Sequence, residues 1–190
     1  MKIKKLAAQI SRTKQMYLLT DAGGKQWAGT SSAIYLLPGN LPPLDSELLT
    51  LILDIPPHKA ADYYIEEKNI SPDLPTNDGD SEEQTLLYDL NCTVIYDGLE
   101  LLPLNTTNGI MYFVPIKYLS PIEDAENPIL CVRHSGTSPV IAAKDGLFLT
   151  ALFRPQEHKP SFVPWLAELY TGTKAAADVT EIKKFMEGKE

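Results

Sequence analysis

Residues 112–155 constrain the fold most, because short apolar runs alternate there with strong turn signals. Gly136 and the pair Asp145-Gly146 separate the runs, and Asp-Gly is typical of a hairpin turn. Branched and aromatic residues, which favour strands, fill the runs at residues 129–133, 139–143 and 147–153. The sequence therefore predicts an antiparallel meander of three strands, with one face of its sheet buried.

A short helix is predicted just before this meander. Ile116, Leu119 and Ile122 recur at helical spacing, and Lys117 falls on another face. A strand is predicted over residues 110–114. The segment thus reads as a strand, a helix and three further strands.

The first part of the chain has a similar layout. Strands are predicted over residues 16–20, 25–28 and 32–37, and glycines 23 and 24 mark a turn between the first two. A helix follows over 44–53, with Asp45 or Ser46 as its cap and Leu48, Leu49, Ile52 and Leu53 as its buried face. Residues 60–66 favour a strand. The Asp97-Gly98 turn then joins strands at 92–96 and 99–104, so that halves spanning roughly 16–66 and 92–155 share the order hairpin, strand, helix, further strands.

These elements predict an α+β domain with antiparallel sheets and two helices packed on one face. The domain would span residues 1–155. Residues 71–84 are acidic, contain prolines and have few aliphatic side chains, which predicts a mobile surface loop. Residues 156–190 read as a helical C-terminal extension. Its second helix, 173–187, would carry Ala176, Val179, Ile182 and Met186 on one side. This extension would dock on the chain's own core or hold a second copy.

The closing part of the domain resembles a DNA sliding-clamp domain, the unit of polymerase processivity rings. The residues that carry the resemblance are the apolar strand 112–114, Lys117-Tyr118-Leu119, and the apolar run 149–155 with its closing proline. It covers roughly a quarter of the chain. It implies a ring that encircles duplex DNA, with basic side chains on inner helices touching phosphates. Lys117 is the residue that the resemblance assigns to DNA.

Two features depart from the clamp pattern. The chain has the length of about one clamp domain, whereas a closed ring needs several. The helix predicted over 44–53 contains no Lys or Arg, although a helix lining a DNA channel should. A clamp-derived fold that no longer forms a ring is consistent with both.

The charge distribution adds further DNA-binding candidates. The formal net charge is -8, yet the first fourteen residues contain no acid. Their basic residues, which are candidates from charge alone, are Lys2, Lys4, Lys5, Arg12 and Lys14. An acidic protein can bind phosphates through one basic face, because salt limits the field to about 10 Å. A solvated surface position is the alternative for each of these residues.

The sequence lacks the usual signs of catalysis. His58, His134 and His158 do not stand at metal-ligand spacings, and no HExxH, GxSxG or phosphate-binding glycine loop is present. We expect neither an enzyme nor a cofactor or metal. Cys92 and Cys131 lie in apolar runs, which favours buried thiols. No apolar run is long enough for a membrane span and no export signal is evident, so a cytoplasmic location without membrane contact is expected.

Three functions follow as hypotheses. The first is a non-catalytic, clamp-like scaffold in DNA replication, of phage or mobile-element origin, which would bind duplex DNA or a replication protein. The second is a protein–protein interaction or structural module without DNA binding, which would form a homo-oligomer through its C-terminal helices. The third is a hydrolase with a composite site around His134 or Cys131 and a carboxylate.

Overall fold

A computed structural model describes residues 1–78, 84–126, 128–159, 162–166 and 168. The chain divides into two compact units, Met1–Gln156 and a second unit that begins at Glu157. In the second unit residues 162–166 are helical, and the rings of Phe162 and Trp165 stack with centroids 5.9 Å apart. The helix predicted over 173–187 lies outside the described residues.

Among its described residues, the first unit combines two α-helices with twelve strands in an α+β arrangement, which confirms the predicted fold class. The helices and strands are α1 (Ile3–Thr13), β1 (Gln15–Thr20), β2 (Gln26–Gly29), β3 (Ala33–Leu36), α2 (Ser46–Ile52), β4 (Tyr64–Asn69), β5 (Thr85–Leu86), β6 (Tyr88–Asp89), β7 (Val94–Tyr96), β8 (Leu99–Asn105), β9 (Met111–Pro115), β10 (Pro128–Ser135), β11 (Ser138–Asp145) and β12 (Phe148–Phe153). Single 3₁₀ helices occupy Pro57–Asp62, Ile116–Tyr118 and Ser120–Ile122.

Eight strands form the larger sheet in the order β4-β1-β2-β3-β12-β11-β10-β5. Two meanders, β1-β2-β3 and β10-β11-β12, meet where β3 pairs antiparallel with β12, with Tyr35 opposite Ala151. β3 and β12 are the last strands of their meanders, and they run in opposite directions at this seam. A twofold axis between them would produce the same arrangement. The repeated unit is a helical segment followed by a three-stranded meander. The sequence predicted a different order for each half, in which a hairpin and a strand precede the helix.

The edge strand β4 departs from the predicted antiparallel pattern. It pairs parallel to β1, with Gln15 opposite Tyr64. A parallel pair needs a long crossover connection, which here runs through β2, β3 and α2.

The smaller sheet has β8 at its centre. β9 pairs with β8 along one edge, from Leu101 to Asn105. On the other edge of β8, β6 pairs with its C-terminal end and β7 with its N-terminal end. β7 and β8 form the predicted hairpin, and Asp97 and Gly98 both have positive φ, 51° and 72°. Two positive φ values define the type I′ turn that Asp-Gly favours.

The larger sheet is buried on both faces, whereas the sequence predicted one buried face. Met16 and Leu18 of β1 share one core cluster with residues of both helices and the smaller sheet, among them Leu6, Ile10, Leu49, Leu104 and Val114. Trp27 and Cys131 belong to a second cluster on the opposite face, packed against Ile70 and Leu74. The segment after β4 therefore covers a face that the meander pattern alone left open.

The helix predicted around Ile116 and Leu119 is instead two successive 3₁₀ turns. Pro115 precedes the first turn and Pro121 lies in the second. Proline has no N–H to donate and its ring clashes with the preceding turn, so an α-helix cannot continue through Pro121.

The two α-helices depend on different signals. In α2, Asp45 Oδ1 accepts a hydrogen bond from Leu48 N at 2.8 Å, which confirms the predicted cap. Leu49 and Leu53 are buried, but Leu48 is 43% exposed, so the buried face is narrower than predicted. α1 is a regular helix of 11 residues, in a segment whose residue pattern weakly fits both a helix and a strand.

Residues 79–83, the middle of the predicted mobile loop, lie outside the described residues. Its described flanks are hydrogen-bonded to the larger sheet. The buried Arg133 guanidinium donates to Asn77 O at 2.7 Å and to Gln84 Oε1 at 3.0 Å. Asp78 Oδ1 accepts a hydrogen bond from Leu149 N at 2.9 Å.

Candidate nucleic-acid interface

The outer face of α1 carries three of the basic residues that the sequence analysis selected from charge. Leu6 and Ile10 are fully buried on its inner face. Lys4, Lys5 and Arg12 are exposed and lie on the opposite side of the helix, at 100° per residue. The helix contains no Asp or Glu. Three of the six predicted residues therefore share one solvent-facing surface.

A buried polar network attaches α1 to the 3₁₀ turn of Lys117. Tyr35 Oη lies 2.9 Å from Gln9 Oε1 and 2.8 Å from the Tyr118 carbonyl oxygen, so its single proton is shared between these two acceptors. Gln9 Nε2 donates to the Lys117 carbonyl oxygen at 2.5 Å. The network therefore holds α1 beside residues 117–118 through main-chain acceptors.

Lys117 lies next to α1, on a 3₁₀ turn and not on the α-helix that the sequence predicted. Its side chain is half-buried, and Nζ lies 5.3 Å from the centroid of the Tyr118 ring. The Tyr118 ring in turn stacks on Phe153, with centroids 6.3 Å apart. Lys117 is consequently less available to a phosphate than the exposed lysines of α1.

Lys2 is engaged in an ion pair. Its Nζ lies 2.7 Å from Glu123 Oε1, and this hydrogen bond raises the pKa of Lys2 although desolvation opposes it. The charge of Lys5 also helps to lower the pKa of Glu123, after the hydrogen bond and charge of Lys2. Carboxylates of the 3₁₀ region thus offset positive charge at the start of α1.

Lys14 sits at the other end of α1, where it is the left-handed C-cap with φ 56°. Its Nζ lies 4.3 Å from the centroid of the Tyr63 ring and 3.3 Å from Tyr63 Oη. Tyr63 Oη also donates to Ser11 Oγ at 3.3 Å. The sequence analysis missed Tyr63 because it is 49 residues from Lys14. Only the parallel pairing of β4 with β1 brings the two together.

The arrangement suits contact with phosphates better than reading of bases. Among the described residues four ion pairs form, and none of them involves Lys4, Lys5 or Arg12. Exposed Lys and Arg bind a phosphate backbone by charge, with no preference for sequence.

The hydrolase hypothesis placed His134 or Cys131 beside a carboxylate, and it stays a prediction. Cys131 and His134 belong to the same strand, β10, three positions apart. Side chains three apart on a strand point to opposite faces, so these two cannot act as one pair. Within the described part of the chain, no group of three or more His, Cys, Asp or Glu residues is placed to hold a metal ion.

Comparison of the chain with models of known families, with curated proteins and with solved structures finds no match. Among the described residues, no helix has both the length and the apolar character that a membrane span requires.

Proposed function

We propose that this protein binds duplex DNA without sequence preference, as a non-catalytic, clamp-like scaffold in replication. The observation that carries the proposal is the outer face of α1. It presents Lys4, Lys5 and Arg12 to solvent on a helix without acids, in a chain whose net charge is -8. The outer face of α1 is therefore positively charged although the chain as a whole is negative, and it creates a local positive field in the solvent.

The topology supports the same proposal. Each meander follows a helical segment, α1 or the 3₁₀ turns, and the two segments lie side by side through the Gln9 and Tyr35 network. Paired half-domains with adjacent helices are also the layout of the family that residues 112–155 resemble. In this chain, however, 3₁₀ turns occupy the segment that the sequence analysis assigned to the Lys117 helix, and α1 is the regular α-helix of the pair.

Salt dependence of DNA binding tests the proposal. Anisotropy of a labelled duplex of mixed sequence is measured from low to physiological salt with the wild-type protein and with Lys4→Gln/Lys5→Gln/Arg12→Gln. Each phosphate contact contributes about 0.9 to the slope of log K against log salt, so the triple variant should lose up to about 2.7. Binding should not depend on the duplex sequence.

A matched control removes three positive charges elsewhere. Lys25→Gln/Lys68→Gln/Arg154→Gln changes the net charge by the same amount at residues outside α1, and it also removes the ion pairs of Lys25 with Asp78 and of Lys68 with Glu66. It should retain the wild-type slope. The proposal is wrong if wild type fails to bind at low salt, or if both triple variants lose equal affinity.

A protein–protein interaction module is the second candidate, and the turn between β11 and β12 favours it. Leu147 and Phe148 are 69% and 68% exposed at this turn. Adjacent exposed apolar side chains are typical of protein contacts.

Mass measurement over a concentration series tests the second candidate. If copies of the chain associate through this turn, the mass of the full chain should rise with concentration, and Leu147→Ser/Phe148→Ser should abolish the rise. A constant monomer mass for both proteins would exclude a homo-oligomer. Association through the C-terminal helices stays a prediction, and it would leave the double variant as oligomeric as wild type.

A further inference from the structure

A compact group of polar side chains lies at the C-terminal end of α1, and we call it the Tyr63 patch. It consists of Ser11, Lys14, Lys59 and Tyr63. Tyr63 Oη is 3.3 Å from both Ser11 Oγ and Lys14 Nζ. Lys59 is exposed on the 3₁₀ helix Pro57–Asp62, directly before Tyr63. Two segments that are distant in sequence therefore contribute to one surface.

The fold holds the patch in place. Tyr64 N donates to the Lys14 carbonyl oxygen at 2.8 Å, at the start of the parallel ladder between β4 and β1. Lys14 N donates to Ile10 O at 2.8 Å and closes the helix. Main-chain bonds thus fix Lys14 and Tyr63 against each other, and only the ends of the lysine side chains remain to adjust to a ligand.

The charges make the patch electropositive. The hydrogen bond between Ser11 and Tyr63 lowers the pKa of Tyr63, although desolvation opposes it. The hydrogen bond and charge of Lys14 and the charge of Lys59 lower this pKa further. The C-terminal end of a helix carries about half a negative charge, which opposes an anion there. The two lysines exceed this partial charge, and Asp62 is the one acid of the 3₁₀ helix beside them.

We propose that the Tyr63 patch binds a backbone phosphate of duplex DNA, which extends the α1 face onto a second chain segment. The inference rests on the proposed function and deepens it. Lys14 and Lys59 supply charge. The Tyr63 hydroxyl exchanges its hydrogen bond to Ser11 Oγ for one to a phosphate oxygen, and the Ser11 hydroxyl donates to a second phosphate oxygen. The contact is therefore placed at the C-terminal end of α1, away from the start of the helix, where Glu123 binds Lys2.

The test separates charge from hydrogen bonding in the anisotropy assay. Lys59→Gln should lower the salt slope by about 0.9, because one phosphate contact is lost. Tyr63→Phe should weaken binding about 2- to 10-fold without changing the slope, because a neutral hydroxyl releases no counterion. The matched controls on β4, Lys68→Gln and Tyr64→Phe, should bind like wild type.

The outcomes distinguish this inference from the proposed function. If Lys59→Gln and Tyr63→Phe bind like wild type while the α1 triple variant loses its slope, the DNA proposal stands and the patch is not a contact. If wild type does not bind DNA at all, both fail. A thermal melt of Tyr63→Phe that matches wild type shows that weaker binding is not caused by unfolding.

Discussion

Replacing Tyr35 by Phe tests the network that attaches α1 to the sheet. Tyr35 is fully buried, and its hydroxyl lies 2.9 Å from Gln9 Oε1 and 2.8 Å from the Tyr118 carbonyl oxygen. The substitution removes the donor and keeps the ring, so both acceptors lose a partner inside the core. Loss of a buried partner costs about 1–3 kcal/mol. For a chain of this length, 2 kcal/mol corresponds to a decrease in Tm of roughly 4–8 °C.

Urea denaturation followed by circular dichroism measures this free energy. Tyr64→Phe is the matched control, since the Tyr64 hydroxyl is exposed and bonds Glu66 at 3.1 Å. We expect the control to change stability by less than about 0.5 kcal/mol. Equal effects of the two substitutions would refute the claim that the network stabilises the domain.

The pH dependence gives this prediction a second readout. Burial raises the pKa of Tyr35 well above its ordinary value of 10.0, despite the hydrogen bond with Gln9. The folded protein keeps Tyr35 neutral where the unfolded chain ionises, so wild type loses this contribution as the pH rises above about 10. The stability difference between wild type and Tyr35→Phe should be constant from pH 6 to 9 and should shrink at higher pH.

Three further substitutions test the packing and the charges. Gly29→Ala should destabilise the fold by about 1–3 kcal/mol in chemical denaturation, because a Cβ would lie 2.1 Å from the Ala33 carbonyl oxygen. Leu49→Ala should cost about 2–5 kcal/mol by the same measurement, and Leu51→Ala, at a 62% exposed position of the same helix, less than about 0.5 kcal/mol. Asp78→Asn should lower Tm at neutral pH, and the difference should disappear in acid. Although burial opposes it, the hydrogen bonds from Lys25 and Leu149 lower the pKa of Asp78, so its contribution is lost as the pH falls below 3.8.

Local sequence signals predicted the elements of this fold well. The three strands β10, β11 and β12, the turn at Asp97-Gly98 and the cap at Asp45 all follow from residue type and spacing. Each depends on neighbours within a few positions, which is the range over which backbone preference and periodicity act. The helix predicted around Lys117 is wrong on the same scale, because Pro121 opposes the α-helix that the apolar spacing alone favours.

The candidate site could be predicted only in part. A sequence without acids at the start of the chain pointed to Lys4, Lys5 and Arg12, which are exposed. It could not show that Lys2 faces Glu123, which is 121 residues away, or that Tyr63 meets Lys14. Whether a lysine is free or paired depends on distant segments, and local pattern contains no information about them.

By itself, then, the sequence determined most of the strands, where the chain turns and that the first fourteen residues are basic. The tertiary structure alone decided that β3 joins β12, that β4 runs parallel beside β1, and that residues 70–74 cover the second face of the sheet. The physical reason is range: turns and periodicity are settled by adjacent residues, whereas strand order, burial and ion pairing are settled by the packing of the whole domain.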